Sequence, residues 1–138
     1  MTTSEAAVIE NWAAAWSSSD ADKVVALFTD DCVYEDVTMG IVNRGKQELK
    51  SFAKTFSGAF SDMKFELQTR FVSGTVGSAE WTASGTHTGD APGLPATNKY
   101  VSLRGASVFE LQGNKIKRCS DYWDRVTFLK QLGFMPSQ

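Results

Sequence analysis

The best candidate for chemistry in this 138-residue chain is a carboxyl group placed between a thiol and an indole. Cys119, Asp121 and Trp123 alternate along the strand-like run 115–123, and alternate side chains of a strand share one face. If that face points into the fold, burial raises the cost of ionising Asp121, and a carboxyl group with a pKa near neutrality is a useful proton carrier. The alternative is an edge strand whose acids face water, because buried Asp is rare unless it is paired.

A second acid is predicted on a similar face earlier in the chain. The run 32–37 has the pattern of a strand, and it places Cys32, Tyr34 and Asp36 on one side. If Asp36 and Asp121 converge on one pocket, each raises the pKa of the other and the two acids can take different roles. The alternative for Asp36 is a solvated position at the pocket rim. Tyr34 is expected to line the pocket, either as a hydrogen-bond donor or as a satisfied core tyrosine.

The single histidine, His87, lies next to a loop that carries two prolines. In a pocket it would donate a hydrogen bond to a substrate carbonyl or carry a proton, and the alternative is a structural histidine. A carboxylate can remove a proton beside a carbonyl only if donors stabilise the resulting enolate oxygen. His87 and Tyr34 are the candidate donors. The predicted catalytic residues are therefore Asp121, His87, Asp36 and Tyr34.

The chain is rich in aromatic side chains, with nine Phe, four Trp and three Tyr. Such side chains fill a core and also line pockets for apolar ligands. Trp12 and Trp16 recur at helical spacing on the core face of the first helix, which can also roof a pocket. Both cysteines, Cys32 and Cys119, are expected to be small buried groups with free thiols. The residues expected to bind a substrate are Trp12, Trp16, Phe52, Phe56, Trp81, Cys119 and Trp123.

The periodicity predicts the scaffold that positions these side chains. Three helices and one early strand come first, and four strand-like runs follow over 63–71, 76–88, 99–111 and 115–123. A helix over 124–132 comes last. This order predicts a single α+β domain over residues 1–138, with helices packed on one face of a curved, mostly antiparallel sheet.

Composition argues against several classes of partner. The net charge is −2 and there is no basic stripe, so we expect neither nucleic acid nor an anionic membrane as a partner. No apolar run approaches the length of a membrane span and the first residues lack a signal-peptide pattern, so we expect a cytoplasmic protein. One histidine and two cysteines without zinc-type spacing predict no metal site, and we expect no cofactor.

Three parts of the chain stand out: the helix with Trp12 and Trp16 and the following LFTDDCVY (27–34), then GTHTG (85–89) with its proline-containing loop, and then GNKI (113–116) leading through Asp121 to KQLG (130–133). Together with the order of elements, these segments resemble the NTF2-like superfamily and, within it, the SnoaL-like polyketide cyclases. This resemblance implies a cone-shaped α+β barrel with helices on its concave face and an apolar pocket at its mouth. It also implies that Asp121, on the last long strand, is a general acid/base, and that the protein is a homodimer paired through the convex face of the sheet.

The segment Asp121-Tyr122-Trp123-Asp124 also resembles the Asp-Tyr-Phe-Asp of limonene-epoxide hydrolase relatives, in which the first acid activates water. On the first strand, Asp36 stands where those relatives use an Asn. Trp81 and Ala83 stand where they use an Arg and a second Asp, so part of their relay is absent. Arg104 could replace it only if its side chain pointed inward.

The favoured function is cofactor-free acid/base catalysis on a small, largely apolar molecule that carries a few oxygens. Proton abstraction by Asp121 would lead to cyclisation, aldol-type closure or isomerisation. Two alternatives stay open. One is hydrolysis of an epoxide by water that Asp121 activates, and the other is a non-catalytic protein that binds or scaffolds a small ligand. The sequence does not specify the substrate.

Overall fold

The computed structural model describes residues 3–136 as helices packed on a six-stranded sheet. Within these residues, no helix is long and apolar enough to cross a membrane. The helices are α1 (Thr3–Ser17), α2 (Ala21–Val25), α3 (Gly45–Ala59) and α4 (Arg125–Leu132), and the strands are β1 (Phe28–Asp36), β2 (Ile41–Arg44), β3 (Lys64–Ser73), β4 (Val76–Thr86), β5 (Tyr100–Gln112) and β6 (Lys115–Trp123).

The predicted fold class, α+β with a curved and mostly antiparallel sheet, is confirmed. Several boundaries differ from the sequence-based expectation, and β4 ends at Thr86 rather than at residue 88. The early strand begins at Phe28 rather than at Cys32, and the residues after Gly40 form one further strand, β2, which ends at Arg44 and pairs with β1 at the edge of the sheet. Strand β2 was hard to predict because its four residues carry too little alternation to show a period.

The sheet brings three polar side chains to one point on its concave face. The strand order is β2-β1-β6-β5-β4-β3, and neighbouring strands are antiparallel except β1 and β6, which are parallel. In the parallel pair Asp36 lies opposite Asp121, and in the β5–β6 pair Ser107 lies opposite Asp121. All three residues are buried. The register between neighbouring strands therefore decides which polar groups meet.

Helices α1 and α3 supply the apolar residues that cover the concave face. On α1, the ring of Trp12 lies edge-on to Phe65 and Phe109, with centroid distances of 5.7 and 5.1 Å. Such aromatic pairs contribute about 0.5–1.5 kcal/mol each beyond the area they bury. On α3, Leu49 and Ala53 are buried one turn apart, which is the spacing of a helix with one apolar face.

Helix α4 is fixed at both ends by its own sequence. Asp124, directly after β6, caps the helix by accepting a hydrogen bond from the Thr127 backbone N–H at 3.0 Å. Gly133 ends the helix with φ at +87°, in the left-handed region that glycine tolerates. Gln131 accepts from the Ser102 N–H at 2.9 Å and donates to the Ser102 carbonyl at 3.1 Å. The helix is thereby held against the part of β5 that extends past the end of β6.

Candidate active site

The buried carboxyl group of Asp121 accepts hydrogen bonds from three neighbouring side chains. Its Oδ1 accepts from the Ser107 hydroxyl at 2.5 Å and from the Cys119 thiol at 3.4 Å. Its Oδ2 accepts from the hydroxyl of Tyr34. Asp121 is only 7% exposed, and Tyr34 and Cys119 are buried. The face of β6 that carries Cys119 and Asp121 therefore lies inside the fold and not in solvent.

Ser107 is a part of this arrangement that sequence analysis does not identify. It is fully buried on β5, and its hydroxyl oxygen accepts a hydrogen bond from Trp81 Nε1 at 2.9 Å. Because the indole can only donate, this contact leaves the Ser107 proton free for Asp121. The available signal was a hydroxyl on the inward face of β5, where Phe109 and Leu111 are apolar. That face could be read from alternation, but the partner of Ser107 depends on the register with β6.

Gly105 makes room for the indole that holds Ser107. It lies opposite Trp81 in the β4–β5 pair. A Cβ atom at Gly105 would lie 2.3 Å from Cη2 of the Trp81 ring, far inside van der Waals contact. Trp81 therefore packs on bare backbone, and any side chain at position 105 would displace the donor to Ser107.

Asp36 is the second acid at this point of the sheet and is 3% exposed. Both of its oxygens lie 3.1 Å from Trp123 Nε1, and its Oδ1 accepts from the Met39 backbone N–H at 3.0 Å. Burial raises the pKa of Asp36, while these hydrogen bonds act in the opposite direction. Asp36 is thus buried beside Asp121 and not solvated at a rim.

Burial also raises the pKa of Asp121, from 3.8 to about 6. The hydrogen bonds from Ser107 and Tyr34 lower this pKa and the charge of Asp36 raises it, so desolvation is the dominant influence. Burial, together with the charge of Asp121, raises the pKa values of Tyr34 and Cys119 well above their ordinary range. At neutral pH the site therefore combines a mostly ionised Asp121 with a tyrosine and a thiol that keep their protons.

A cavity of about 200 Å³ between the helices and the sheet has both acids in its wall. This volume is below the roughly 300–1,000 Å³ of pockets for drug-sized ligands and above the roughly 150 Å³ of an apolar cavity that holds benzene. A molecule with one or two rings fits it. Nine aromatic side chains line the cavity, namely Trp16, Tyr34, Phe52, Phe56, Phe60, Phe65, Trp81, Trp123 and Phe128.

The structure brings most of the predicted site residues to this cavity. Asp121, Asp36 and Tyr34 line it together with Trp16, Phe52, Phe56, Trp81 and Trp123. Sequence analysis does not identify the residues of the cavity wall that lies away from the two acids. This wall is built by the end of α3, the loop after β4, the start of β5 and helix α4, through Phe60, Met63, Ala91, Pro92, Leu94, Val101, Leu103 and Phe128. These residues have the pattern of ordinary core or loop positions, and only the packing of distant elements brings them together.

Two predicted substrate-binding residues do not line the cavity. Trp12 is fully buried in the core between Phe65 and Phe109. Cys119 lies behind Asp121 and reaches it through its thiol. Both residues therefore pack behind the residues that line the cavity.

His87 does not join Asp121 either. It lies just beyond β4, fully buried, with its ring stacked on Phe60 at a centroid distance of 5.0 Å. Its Nδ1 is 3.1 Å from Thr97 Oγ1, and its backbone N–H donates to the Lys99 carbonyl at 2.9 Å. Phe60 lines the cavity while His87 lies behind it and anchors the loop 88–98. The geometry gives no support to the expectation that His87 donates to a substrate.

The structure also locates the residues that matter for the hydrolase alternative. Trp81 and Ala83, which the sequence resemblance places where the hydrolases use an Arg and a second Asp, both line the cavity with apolar groups. Arg104 is solvent-exposed, and strand alternation puts it on the opposite face from Ser107. Within residues 3–136, no three His, Cys, Asp or Glu side chains are grouped in a way that could hold a metal ion.

Comparison with known sequences gives a family match. A family model described as SnoaL-like polyketide cyclase matches residues 6–132. No curated protein sequence matches the chain significantly.

Several solved structures are similar over nearly their whole length. TsrD from Streptomyces laurentii is 20% identical, with a TM-score of 0.86 and coverage of 98% of both chains. A protein proposed to be a polyketide cyclase from Silicibacter sp. TM1040 is 25% identical, with a TM-score of 0.80 and coverage of 93% of this chain and 94% of its own. IdmH from Streptomyces antibioticus, also proposed to be a polyketide cyclase, is 22% identical, with a TM-score of 0.79 and coverage of 94% and 98%.

Proposed function

The chain belongs to the SnoaL-like polyketide cyclase family, and on that basis we propose that it is a cofactor-independent acid/base enzyme of the cyclase or isomerase type. Its substrate is a small, largely apolar molecule that carries a few oxygens. Asp121 is the base that removes a carbon-bound proton and the acid that returns it. Tyr34 donates to the enolate oxygen once Asp121 holds the proton, and Asp36 orients the substrate.

The observation that carries the proposal is the state of the Asp121 carboxyl group in the cavity wall. Its pKa of about 6 leaves it mostly ionised at neutral pH, yet keeps its proton affinity close to the operating pH. General bases work best under that condition. Oδ1 accepts two hydrogen bonds and Oδ2 accepts one, from Tyr34, so Oδ2 retains a lone pair for a substrate proton.

The proposed reaction begins when Oδ2 of Asp121 takes a proton from a carbon beside a carbonyl group. The electrons of that C–H bond form an enolate, whose oxygen needs a donor. Protonation of Asp121 frees the Tyr34 hydroxyl to donate to this oxygen. The enolate carbon then attacks a second carbonyl to close a ring, or it is reprotonated at another carbon to give an isomer. Asp121 returns the proton in either case.

Exchange of carbon-bound hydrogen tests this proposal without knowledge of the natural substrate. One-ring β-diketones and β-ketoesters are incubated with the protein in D₂O, and loss of the α-proton signal is followed by NMR. We expect the wild type to accelerate the exchange and Asp121→Asn to slow it by about 10²–10⁴-fold. The wild-type rate should rise through pH 6, because the ionised form of Asp121 is the active one.

Glu35→Gln is a matched control, because Glu35 lies next to Asp36 in sequence but on the other face of β1. Its exchange rates should equal those of the wild type. The proposal is abandoned if the wild type accelerates no exchange between pH 7 and 8, or if Asp121→Asn exchanges as fast as the wild type.

The same samples address the two other functions. Epoxide opening that depends on Asp121, without any exchange, would favour a hydrolase. Binding of apolar carbonyl compounds without either reaction would favour a ligand-binding protein.

We also propose that the protein acts in the cytoplasm, which is supported by two buried free cysteines. Separation of the source cells into cytoplasmic and extracellular fractions checks this location.

A further inference from the structure

Next to the two acids the cavity wall presents hydrogen-bond acceptors, because the donors beside them are already used. The indole N–H of Trp16, which also lines the cavity, has no partner among the described residues. The indole N–H of Trp123 donates to Asp36, and the Tyr34 hydroxyl donates to Asp121. The indole N–H of Trp81 is likewise occupied by the hydroxyl of Ser107. A ligand that binds next to the two acids with good hydrogen bonds must therefore bring donors of its own.

The two acids also lack a cationic neighbour in the cavity. Among the described side chains that line the cavity, none is Lys, Arg or His. Arg125 is exposed and has the weakest of the influences on the pKa of Asp36, and Arg118 is paired with Glu110. Buried charges are normally paired, since taking an ion out of water costs several kcal/mol. The cavity wall can therefore accommodate a positive charge supplied by the ligand.

The remaining walls favour a cation for a separate reason. The nine aromatic side chains that line the cavity surround its volume with rings whose faces are electronegative. A cation over such a face gains about 0.5–2 kcal/mol, the larger value when it is desolvated. An anion gains nothing from these faces and is repelled by both carboxylates. The carboxylates and the rings thus both favour a positively charged ligand.

We propose that the cavity binds substrates that carry a protonated amine, with the ammonium group on Asp36 and the adjoining carbon acid presented to Asp121. This inference rests on the proposed function, because it takes the cavity as the substrate site and reserves Asp121 for the proton. The simplest molecule of this class is a one-ring amino ketone. An anionic molecule of the same shape is rejected.

Protons compete with an ammonium group for the same oxygens. Burial raises the pKa of Asp121 to about 6, so acid neutralises this carboxyl group first, and burial also raises the pKa of Asp36. The other titratable groups that act on the pair are Tyr34 and Cys119, which keep their protons, and the exposed Arg125. Affinity for an amine is therefore expected to fall between pH 8 and pH 5, whereas affinity for a neutral ligand stays constant.

Three probes of nearly equal size test the inference on the wild-type protein. They are benzylammonium, benzyl alcohol and benzoate, which present a cationic donor, a neutral donor and an anionic acceptor. Equilibrium binding is measured by calorimetry at pH 8 and pH 5. At pH 8 we expect benzylammonium to bind about tenfold or more tightly than benzyl alcohol and benzoate not to bind. At pH 5 the preference for the cation should be smaller, because Asp121 is then mostly protonated. The proposal would be overturned if, at pH 8, either benzyl alcohol or benzoate bound as tightly as benzylammonium or more tightly.

Two isosteric variants locate the charge that is responsible. Asp36→Asn should abolish the preference for benzylammonium, while Glu35→Gln, which removes an acid from the outer face, should keep it. If Glu35→Gln loses the preference as well, the cause is the net charge of the protein and the assignment to Asp36 is wrong. Near-ultraviolet circular dichroism of each variant confirms that the fold is retained, and the wild-type comparison decides the matter even if Asp36→Asn does not fold.

The binding experiment and the hydrogen-exchange assay test different claims, and each can fail without the other. Hydrogen exchange without cation preference would leave the acid/base function standing and remove this substrate class. Cation preference without exchange would establish an amine-binding cavity and remove the catalytic role of Asp121.

Discussion

The carboxyl group of Asp121 shows how one residue acquires a useful proton affinity at the expense of stability. Its site supplies three donors, yet desolvation outweighs them, so that its pKa lies above the ordinary value. A carboxylate in water, with the ordinary pKa of 3.8, would be a weaker base. Burial next to Asp36 and behind aromatic rings is therefore the physical source of the proposed reactivity, and it should be visible in the thermodynamics of folding.

Stability is expected to fall as the pH rises through the titration of Asp121. Between 3.8 and about 6 the folded state holds a proton that the unfolded state has lost, so the wild type loses stability across this window. A shift of about two pKa units corresponds to about 3 kcal/mol. Relative to Asp121→Asn, the free energy of unfolding of the wild type should therefore decrease by up to this amount from pH 4 to pH 7. Urea denaturation at several pH values measures it, and a difference independent of pH would contradict the burial of an ionised Asp121.

Removal of the Ser107 hydroxyl is expected to raise the pKa of Asp121 further. The hydrogen bond from Ser107 favours the ionised carboxylate, so Ser107→Ala removes a stabilising donor and leaves Trp81 Nε1 without its partner. Carbon-13 NMR of the Asp carboxyl groups should show the resonance of Asp121 titrating above its wild-type midpoint. Ser120→Ala is the control, because Ser120 is equally buried beside Asp121 but on the other face of β6. An unchanged midpoint in Ser107→Ala would show that this hydrogen bond does not tune the acid.

At the scale of elements, the contact between β4 and β5 holds Trp81, whose indole N–H donates to Ser107, in place. Gly105→Ala is expected to displace the Trp81 ring, because the new methyl group would overlap it. Overpacking of this kind costs about 1–3 kcal/mol. We expect a loss of stability in this range and the same upward change in the pKa of Asp121 as in Ser107→Ala. Gly58→Ala serves as control, since a Cβ there meets no atom within 4 Å, and alanine in α3 should leave the site unchanged. If Gly105→Ala had wild-type stability, the position of the Trp81 ring would not require a glycine at 105.

Strand alternation was enough to predict which face of β6 and of β1 carries the acids, because a side-chain period of two requires only local sequence. It was not enough for Ser107, whose role depends on the register between β5 and β6. Nor was it enough for His87, which lies past the end of β4 where alternation has no meaning. The helix periodicity correctly placed Trp16 and Trp12 on one buried face, but it could not separate the ring that lines the cavity from the one that fills the core.

At the scale of the whole molecule, the convex face of the sheet carries exposed apolar and aromatic side chains. Tyr122 is 47% exposed on β6, and Tyr100 and Val42 are exposed on β5 and β2. We propose that two copies of the chain pair through this face. Tyr122→Lys is expected to convert a dimer into a monomer in light scattering coupled to size exclusion. Phe71→Lys, which changes an exposed aromatic side chain on β3 at the far edge of the sheet, should not. A monomeric wild type at micromolar concentration, or a dimeric Tyr122→Lys, would rule out this interface.

The parallel pairing of β1 with β6 joins residues far apart in the chain, since Glu35 and Ser120 are 85 residues apart. Closing so long a loop is slow, because the entropy of closure is lost before the contact forms. We expect recovery of ligand binding to coincide with the slowest phase of refolding in stopped-flow fluorescence, whereas the β3–β4–β5 hairpins form earlier. In this expected order of folding, Asp36 and Asp121 become neighbours only in the final step. A chain that is still folding therefore has no pair of acids, and the protein gains its chemistry at the moment it becomes native.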